Sequence, residues 1–283
     1  MKKLKPLELF LTASLAVSLT ACGGADTPGG EDGGVTEEIE ETVDEGGEGG
    51  EGGEGGEGGE EGHSEHSAAS SNPDVNYMVS LGLMKGHMMV AKELLDADKP
   101  EEADPHIGHP VEEIYGDIAG ELAERNVEEF KGTLNELHDL VKTTPQAPEV
   151  GEKYQAAMEK VDAAISAIPE EQLSSPQFVL ESINGMLAVA AEEYEASLAD
   201  GKFVELIEYQ DSRGFVLYSQ QLLATVDEEL SGQAPEALQT IQVSLSELTK
   251  AWPSVDAPEG PVLTPEKVFE LVEEIKAASD GVS

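Results

Sequence analysis

Residues 75–95, VNYMVSLGLMKGHMMVAKELL, are apolar on nearly every face. A helix of that kind is stable in water only when other helices surround it, so the remaining chain has to enclose it. The downstream residues fit that demand. Val111, Ile114, Tyr115, Ile118 and Leu122 make one helical stripe, and Val127, Phe130, Leu134, Leu137 and Val141 make the next. Thr143-Thr144-Pro145, Pro169 and Asp200-Gly201 punctuate the chain, while Ser174-Ser175-Pro176 and Thr264-Pro265 read as helix starts. Strand-type alternation is missing and the connections are short. The expected fold is therefore all-α, an up-and-down helical bundle of about eight helices over residues 73–280. Its core should use Leu83, Val90, Ile114, Ile118, Leu122, Phe130, Leu134 and Leu137.

A faint internal duplication divides that bundle into two four-helix halves, with helices over 74–97, 110–125, 127–142 and 148–168, then 176–199, 202–229, 234–250 and 265–279. Gly86-His87-Met88-Met89 precedes Gly185-Met186-Leu187-Ala188 by 99 residues, and the turn at Asp98-Lys99 precedes Asp200-Gly201 by 102. At the second offset, the stretch from Pro105 to His109 corresponds to Ile207 to Asp211. A pseudo-twofold would then bring His106 and His109 near Glu208 and Asp211.

The N-terminus addresses location. Lys2, Lys3 and Lys5 precede an apolar run too short to span a bilayer, and residues 1–22 read as an export signal. Leu19-Thr20-Ala21-Cys22 resembles the bacterial lipobox, which implies a Cys22 that is cleaved and lipidated. The expected location is the cell envelope, outer membrane or a periplasm-facing membrane surface, with the membrane as partner through the N-terminal lipid. Cys22 is the only cysteine, which excludes intramolecular disulfides, cysteine-rich zinc sites and covalent haem. Residues 23–72 are a Gly/Glu-rich tether with too little apolar surface to fold, spanning roughly 35–40 Å as a flexible coil. The net charge is −43. A surface so acidic excludes binding of nucleic acid and suits attraction of cations or solubility in a saline habitat.

The stretch from Met78 to Tyr115 carries His87, His106 and His109 and the methionines Met78, Met84, Met88 and Met89. A hairpin at Asp98-Lys99, with Asp98 as N-cap, sets residues summing to about 197 at one level, so His87 faces His109. His106, His109 and Glu112 stand at intervals of three, one helical turn each. Pro110 disfavours an α conformation at His109, so the spacing predicts a break there, with His109 as N-cap of the next helix. The helix dipole would then disfavour an imidazolium and leave a lone pair for a metal. The candidate ligands are His87, His106 and His109 with a carboxylate from Glu112 or Glu113, joined by Glu208 and Asp211 if the duplication is real. Imidazole and carboxylate suit iron, zinc, manganese or copper(II). Met84, His87 and Met88 share a face, which favours copper(I) or simply fills the core.

Signatures of catalysis are missing: no nucleophile elbow, no glycine-rich phosphate loop and no His-Glu-x-x-His. A di-iron centre wants two Glu-x-x-His motifs on core helices, and the match at Glu60 and His63 lies in the tether. A non-enzymatic binding protein is expected, with an interaction or structural module lacking a metal as the alternative.

Gly108-His109-Pro110-Val111-Glu112 resembles the His-x-x-Glu element of the imelysin-like family. Those are secreted or lipid-anchored, duplicated helical-bundle proteins of bacteria linked to iron acquisition. The chain departs at the family's glycine two residues before the histidine, which is Ile107 here. The resemblance implies His109 and Glu112 as ligands and iron as the metal. Gly86-His87 together with the stretch from His106 to Tyr115 is also similar to a group of uncharacterised secreted bacterial helical proteins.

Overall fold

The computed structural model describes residues 70–282. The signal peptide, Cys22 and nearly all of the tether lie outside the described residues. Helix α1 (Pro73–Asp96) leads into α2 (Pro100–His109), a π-helical turn (Pro110–Ile114) and α3 (Tyr115–Glu124), the last three forming one continuous rod. Helices α4 (Lys131–Thr143), α5 (Glu149–Ile165) and the short α6 (Glu170–Leu173) complete the first half. The second half holds α7 (Pro176–Ala196), α8 (Leu206–Ala224), α9 (Asp227–Gln233), α10 (Pro235–Leu248), a 3-10 turn (Thr249–Ala251) and α11 (Pro265–Ser279). A two-residue antiparallel pair, β1 (Leu198–Ala199) with β2 (Lys202–Phe203), turns the chain between α7 and α8. The all-helical bundle is as expected, and the long helices of the two halves come in the same order: α1, the α2–α3 rod, α4 and α5 against α7, α8, α10 and α11.

Helix starts obey local chemistry. The side chain of Asn72 accepts the backbone N–H of Asp74 at 3.0 Å, and Pro73 occupies the first turn. Ser175 and Thr264 cap α7 and α11 in the same way, each preceding a proline. Asp98 is not the cap of α2. It takes a left-handed backbone, φ 60°, ending α1, and Lys99 becomes the N-cap without a side-chain bond. A left-handed aspartate at the end of a helix closes the same hairpin by another route.

Helix α1 lies against α2, α5, α7 and α8, and most of its side chains are buried. Of the expected core, Val90, Ile118, Leu122, Phe130, Leu134 and Leu137 are buried, while Leu83 and Ile114 are only partly buried at its edge. Two glycines set the closest approach. A Cβ on Gly214 of α8 would lie 2.3 Å from the carbonyl oxygen of Gly86 on α1, and a Cβ on Gly86 would lie 2.9 Å from the carbonyl carbon of Gly214. The backbones of α1 and α8 therefore touch, and no other residue type fits either position.

Candidate metal centre

Three imidazoles and one carboxylate meet beside that glycine crossing. His87 stands next to Gly86 on α1, and Asp211 lies one turn before Gly214 on α8. His106 and His109, three residues apart on α2, share a face turned towards both. The Nδ1 atoms of His87 and His106 lie 2.5 and 2.6 Å from Oδ1 of Asp211, and Nδ1 of His109 lies 3.0 Å from Oδ2. One ligand-type atom from each of the four residues falls within 4.8 Å of the others. His87, His106 and Asp211 are buried, and the His109 side chain, 18% exposed, is the only one of the four with appreciable access to solvent. The His87 ring stands edge-on to His109 with centroids 5.2 Å apart, which is the pairing expected from the hairpin register, and edge-on to Phe215 on its other side.

The local structure around Pro110 differs from the expected break. Proline lacks the N–H for a bond to His106, and its ring would meet the His106 carbonyl in an α-helix. The rod nevertheless continues: His109 keeps an α conformation, and the turn after Pro110 widens to π, with Tyr115 N–H reaching the carbonyl of Pro110, five residues back. His109 therefore sits within a continuous rod and has no helix N-terminus beneath it. Its charge is decided elsewhere. Burial alone would lower its pKa, but the hydrogen bond and charge of Asp211, helped by Glu113 and Glu208, raise it to about 9. The dipole argument for a neutral His109 is corrected accordingly.

Asp211 shows the reciprocal effect. Complete burial favours the neutral acid, yet the charges of His87 and His106 and the hydrogen bonds of His106 and His109 hold it well below the usual carboxylate range. Beyond His109 an acidic fringe continues towards solvent. Glu113 Oε1 lies 3.8 Å from Nε2 of His109. Glu193 of α7 is pushed up to about 10 by burial, by a hydrogen bond shared with Glu208, and by the charges of Glu208, Asp211 and Glu113.

These shifts carry a pH dependence. The folded pKa of His109, about 9, stands above its unfolded value near 6.5, so the stability it contributes is complete below pH 6.5 and lost as pH rises through 9. The raised Glu193 acts in the same direction. His109 alone should cost the metal-free protein roughly 3 kcal/mol between pH 6.5 and 9.5, read as a falling denaturation midpoint in urea, and Glu193 deepens the fall. A flat profile across that range would contradict the His109–Asp211 pairing.

The structure thus brings together His87, His106, His109 and Asp211. Glu112 and Glu113 are exposed and stand outside the group of four. Glu112 lies beside Gly108 and His138, on the side of the rod turned to α4. Glu208 reaches the fringe through its charge on His109 and its bond with Glu193. Met84 and Met88 are fully buried in the hydrophobic core. Two residues escaped sequence reasoning. Gln210 bonds Nε2 of His106 through its Oε1 at 2.8 Å, and His138 pairs with Asp104 at 3.1 Å. The offset of 102 residues did carry a signal for Asp211, because it equates Asp211 with His109, its hydrogen-bond partner.

Three imidazoles with one carboxylate form an N3O donor set suited to a divalent first-row transition metal. Residues 169–283 match the family model of the iron permease-associated four-helix bundle domain. The match covers α6 to α11 and Asp211, while the three histidines precede it. It supports an iron-related helical bundle and does not carry the imelysin resemblance, whose motif at His109 and Glu112 lies outside the matched residues. No curated protein and no solved structure matches the chain. The same match overturns the expected location. A domain associated with a permease belongs with a membrane transporter, which conflicts with a peripheral protein held only by lipid on Cys22. Among the described residues no helix is long and apolar enough to cross a membrane.

Proposed function

We propose that the protein binds a transition metal ion, iron(II) foremost, between His87, His106, His109 and Asp211, and serves iron acquisition or handling as a binding protein without catalysis of its own. The observation that supports this is the convergence of three Nδ1 atoms on one fully buried carboxylate. Burying an anion is expensive unless positive charge accompanies it. A metal ion would supply that charge more fully than shared protons do, and the iron-related match points to the element. The ion itself brings a Lewis-acid centre with a preference for imidazole and carboxylate donors.

The chain's own residues do the rest. His87 and His106 are held in the dry interior, with Phe215 against the first and Gln210 against the second. His109 is the member nearest solvent, and the charges of Glu113 and Glu208 bear on it. A cation would approach along this side, drawn by the acidic fringe and by a strongly negative chain. On binding, His109 releases its proton, so affinity should rise about tenfold per pH unit up to about pH 9.

Anaerobic titration calorimetry with iron(II), zinc(II) and copper(I) tests the reading. One equivalent of iron(II) or zinc(II) should bind the wild-type protein, and the His106→Ala/His109→Ala double variant should lose that binding. Equal uptake by the two proteins would overturn it.

A further inference from the structure

We infer that Gln210 fixes the tautomer of His106 and thereby makes Nδ1 of that ring the atom offered to a metal. The coordination half of this inference rests on the proposed metal site; the tautomer half stands in the metal-free protein. Gln210 is 3% exposed, and each end of its amide has a defined partner. Its Nε2 group donates to Oε2 of Glu102 at 3.3 Å and to the carbonyl of Val255 at 3.3 Å. Both partners are acceptors only, so the amide cannot be turned round without setting oxygen against oxygen twice. Its Oε1 therefore faces Nε2 of His106 at 2.8 Å. A carbonyl oxygen can only accept, so Nε2 of His106 carries the hydrogen.

A neutral imidazole has one N–H. With Nε2 holding its hydrogen, Nδ1 of His106 is the ring atom left facing Oδ1 of Asp211 at 2.6 Å, and its lone pair becomes free for a metal once any proton shared with that oxygen is displaced. The same oxygen already has Nδ1 of His87 at 2.5 Å. Two electron-rich atoms at that separation repel unless positive charge lies between them, a proton or a metal ion. His109 is oriented alike, with Nδ1 on Asp211 and Nε2 towards Glu113. Gln210 is thus a positioning residue, reaching the site through His106, and it is braced in turn from α2 by Glu102 and from the segment after the 3-10 turn by Val255.

Long-range proton–nitrogen correlations of the histidine rings, recorded on the 15N-labelled full chain, read the tautomer directly. Metal-free wild type should show His106 with hydrogen on Nε2, and zinc(II) should shift its Nδ1 while Nε2 keeps the hydrogen. Gln210→Met, which preserves bulk and removes the acceptor, should release that tautomer and weaken zinc(II) binding 10- to 100-fold, the usual cost of losing a residue that orients a ligand histidine. The exchange Gln210→Glu/Glu102→Gln restores an acceptor at 210 and a donor at 102, and should recover both the tautomer and the affinity, whether or not Gln210→Met folds. A wild type whose His106 lacks the hydrogen on Nε2, or an unchanged tautomer and affinity in Gln210→Met, would overturn the inference. A wild type with the Nε2 hydrogen that takes up no zinc(II) would sink the metal reading while supporting the hold of Gln210 on the ring.

Discussion

Gly214→Ala should destabilise the protein by about 3 kcal/mol or more and remove metal binding with it. Alanine is favoured over glycine inside a helix by about 1 kcal/mol, so propensity alone predicts a gain. The crossing with α1 reverses the sign. The new Cβ would stand 2.3 Å from the carbonyl oxygen of Gly86, 2.7 Å from its carbon and 2.9 Å from Cγ2 of Val90. The first two are backbone atoms, with no side-chain rotamer to swing aside, so α1 and α8 must separate. Separation would draw His87, next to Gly86, away from Asp211, and a bond of 2.5 Å does not survive a shift of about 1 Å. Gly120→Ala provides the control, because nothing lies within 4 Å of a Cβ there. It should be neutral or stabilise by up to about 1 kcal/mol. Urea denaturation of the two variants would show opposite signs, and equal midpoints would refute the close crossing.

Asp211→Asn should lower the stability of the metal-free protein at pH 7 by about 3 kcal/mol, the lower part of the range for breaking a buried charge pair. For a folded region of some 210 residues that is a melting temperature lower by roughly 10 °C. Two effects oppose each other. The amide escapes the cost of burying an anion, which is the largest single influence on this carboxyl. Against that, the amide keeps one oxygen where the carboxylate offers two, and His109 loses the charge that keeps it protonated. The second effect should win because the amide sets its NH2 group against a buried ring N–H. The decline in stability between pH 6.5 and 9.5 should shrink in this variant. Affinity for iron(II) should fall by more than about 100-fold, since partners one shell further out already cost 10- to 100-fold. A variant as stable and as metal-competent as the wild type would remove Asp211 from the centre of the site.

Helices were legible because their signals are local. Asn72-Pro73, Ser175-Pro176 and Thr264-Pro265 start helices through bonds that span two or three residues. The meeting of His87 and His109 was legible too, since a tight hairpin fixes the register of the two helices it joins. Pro110 misled because its restriction on the preceding residue predicts a break, whereas His109 keeps an α conformation and the rod runs on through the π turn that follows. Glu112 was favoured by its interval from His109, but interval says nothing about which side of a widened turn faces the core. Gln210, Glu193 and the Gly86–Gly214 crossing left no trace at all, since each acts through partners far away in the chain. Asp211 lies between these cases, reached only through the 102-residue offset.

The π turn also decides how the rod is indexed. A turn that takes in one residue more than an α turn sets back the angular position of everything after it by roughly 100°. Counted as a plain α-helix, Tyr115, Ile118 and Leu122 would emerge well round from the direction of Ala103 and His106. With the setback they continue that direction, and all five are buried. Chain length between Pro110 and Ile114 is thus converted into rotation. Losing or gaining one residue there would not merely shorten or lengthen the rod; it would turn the histidine end and the Tyr115 end out of mesh with each other, so that only one could face the interior at a time.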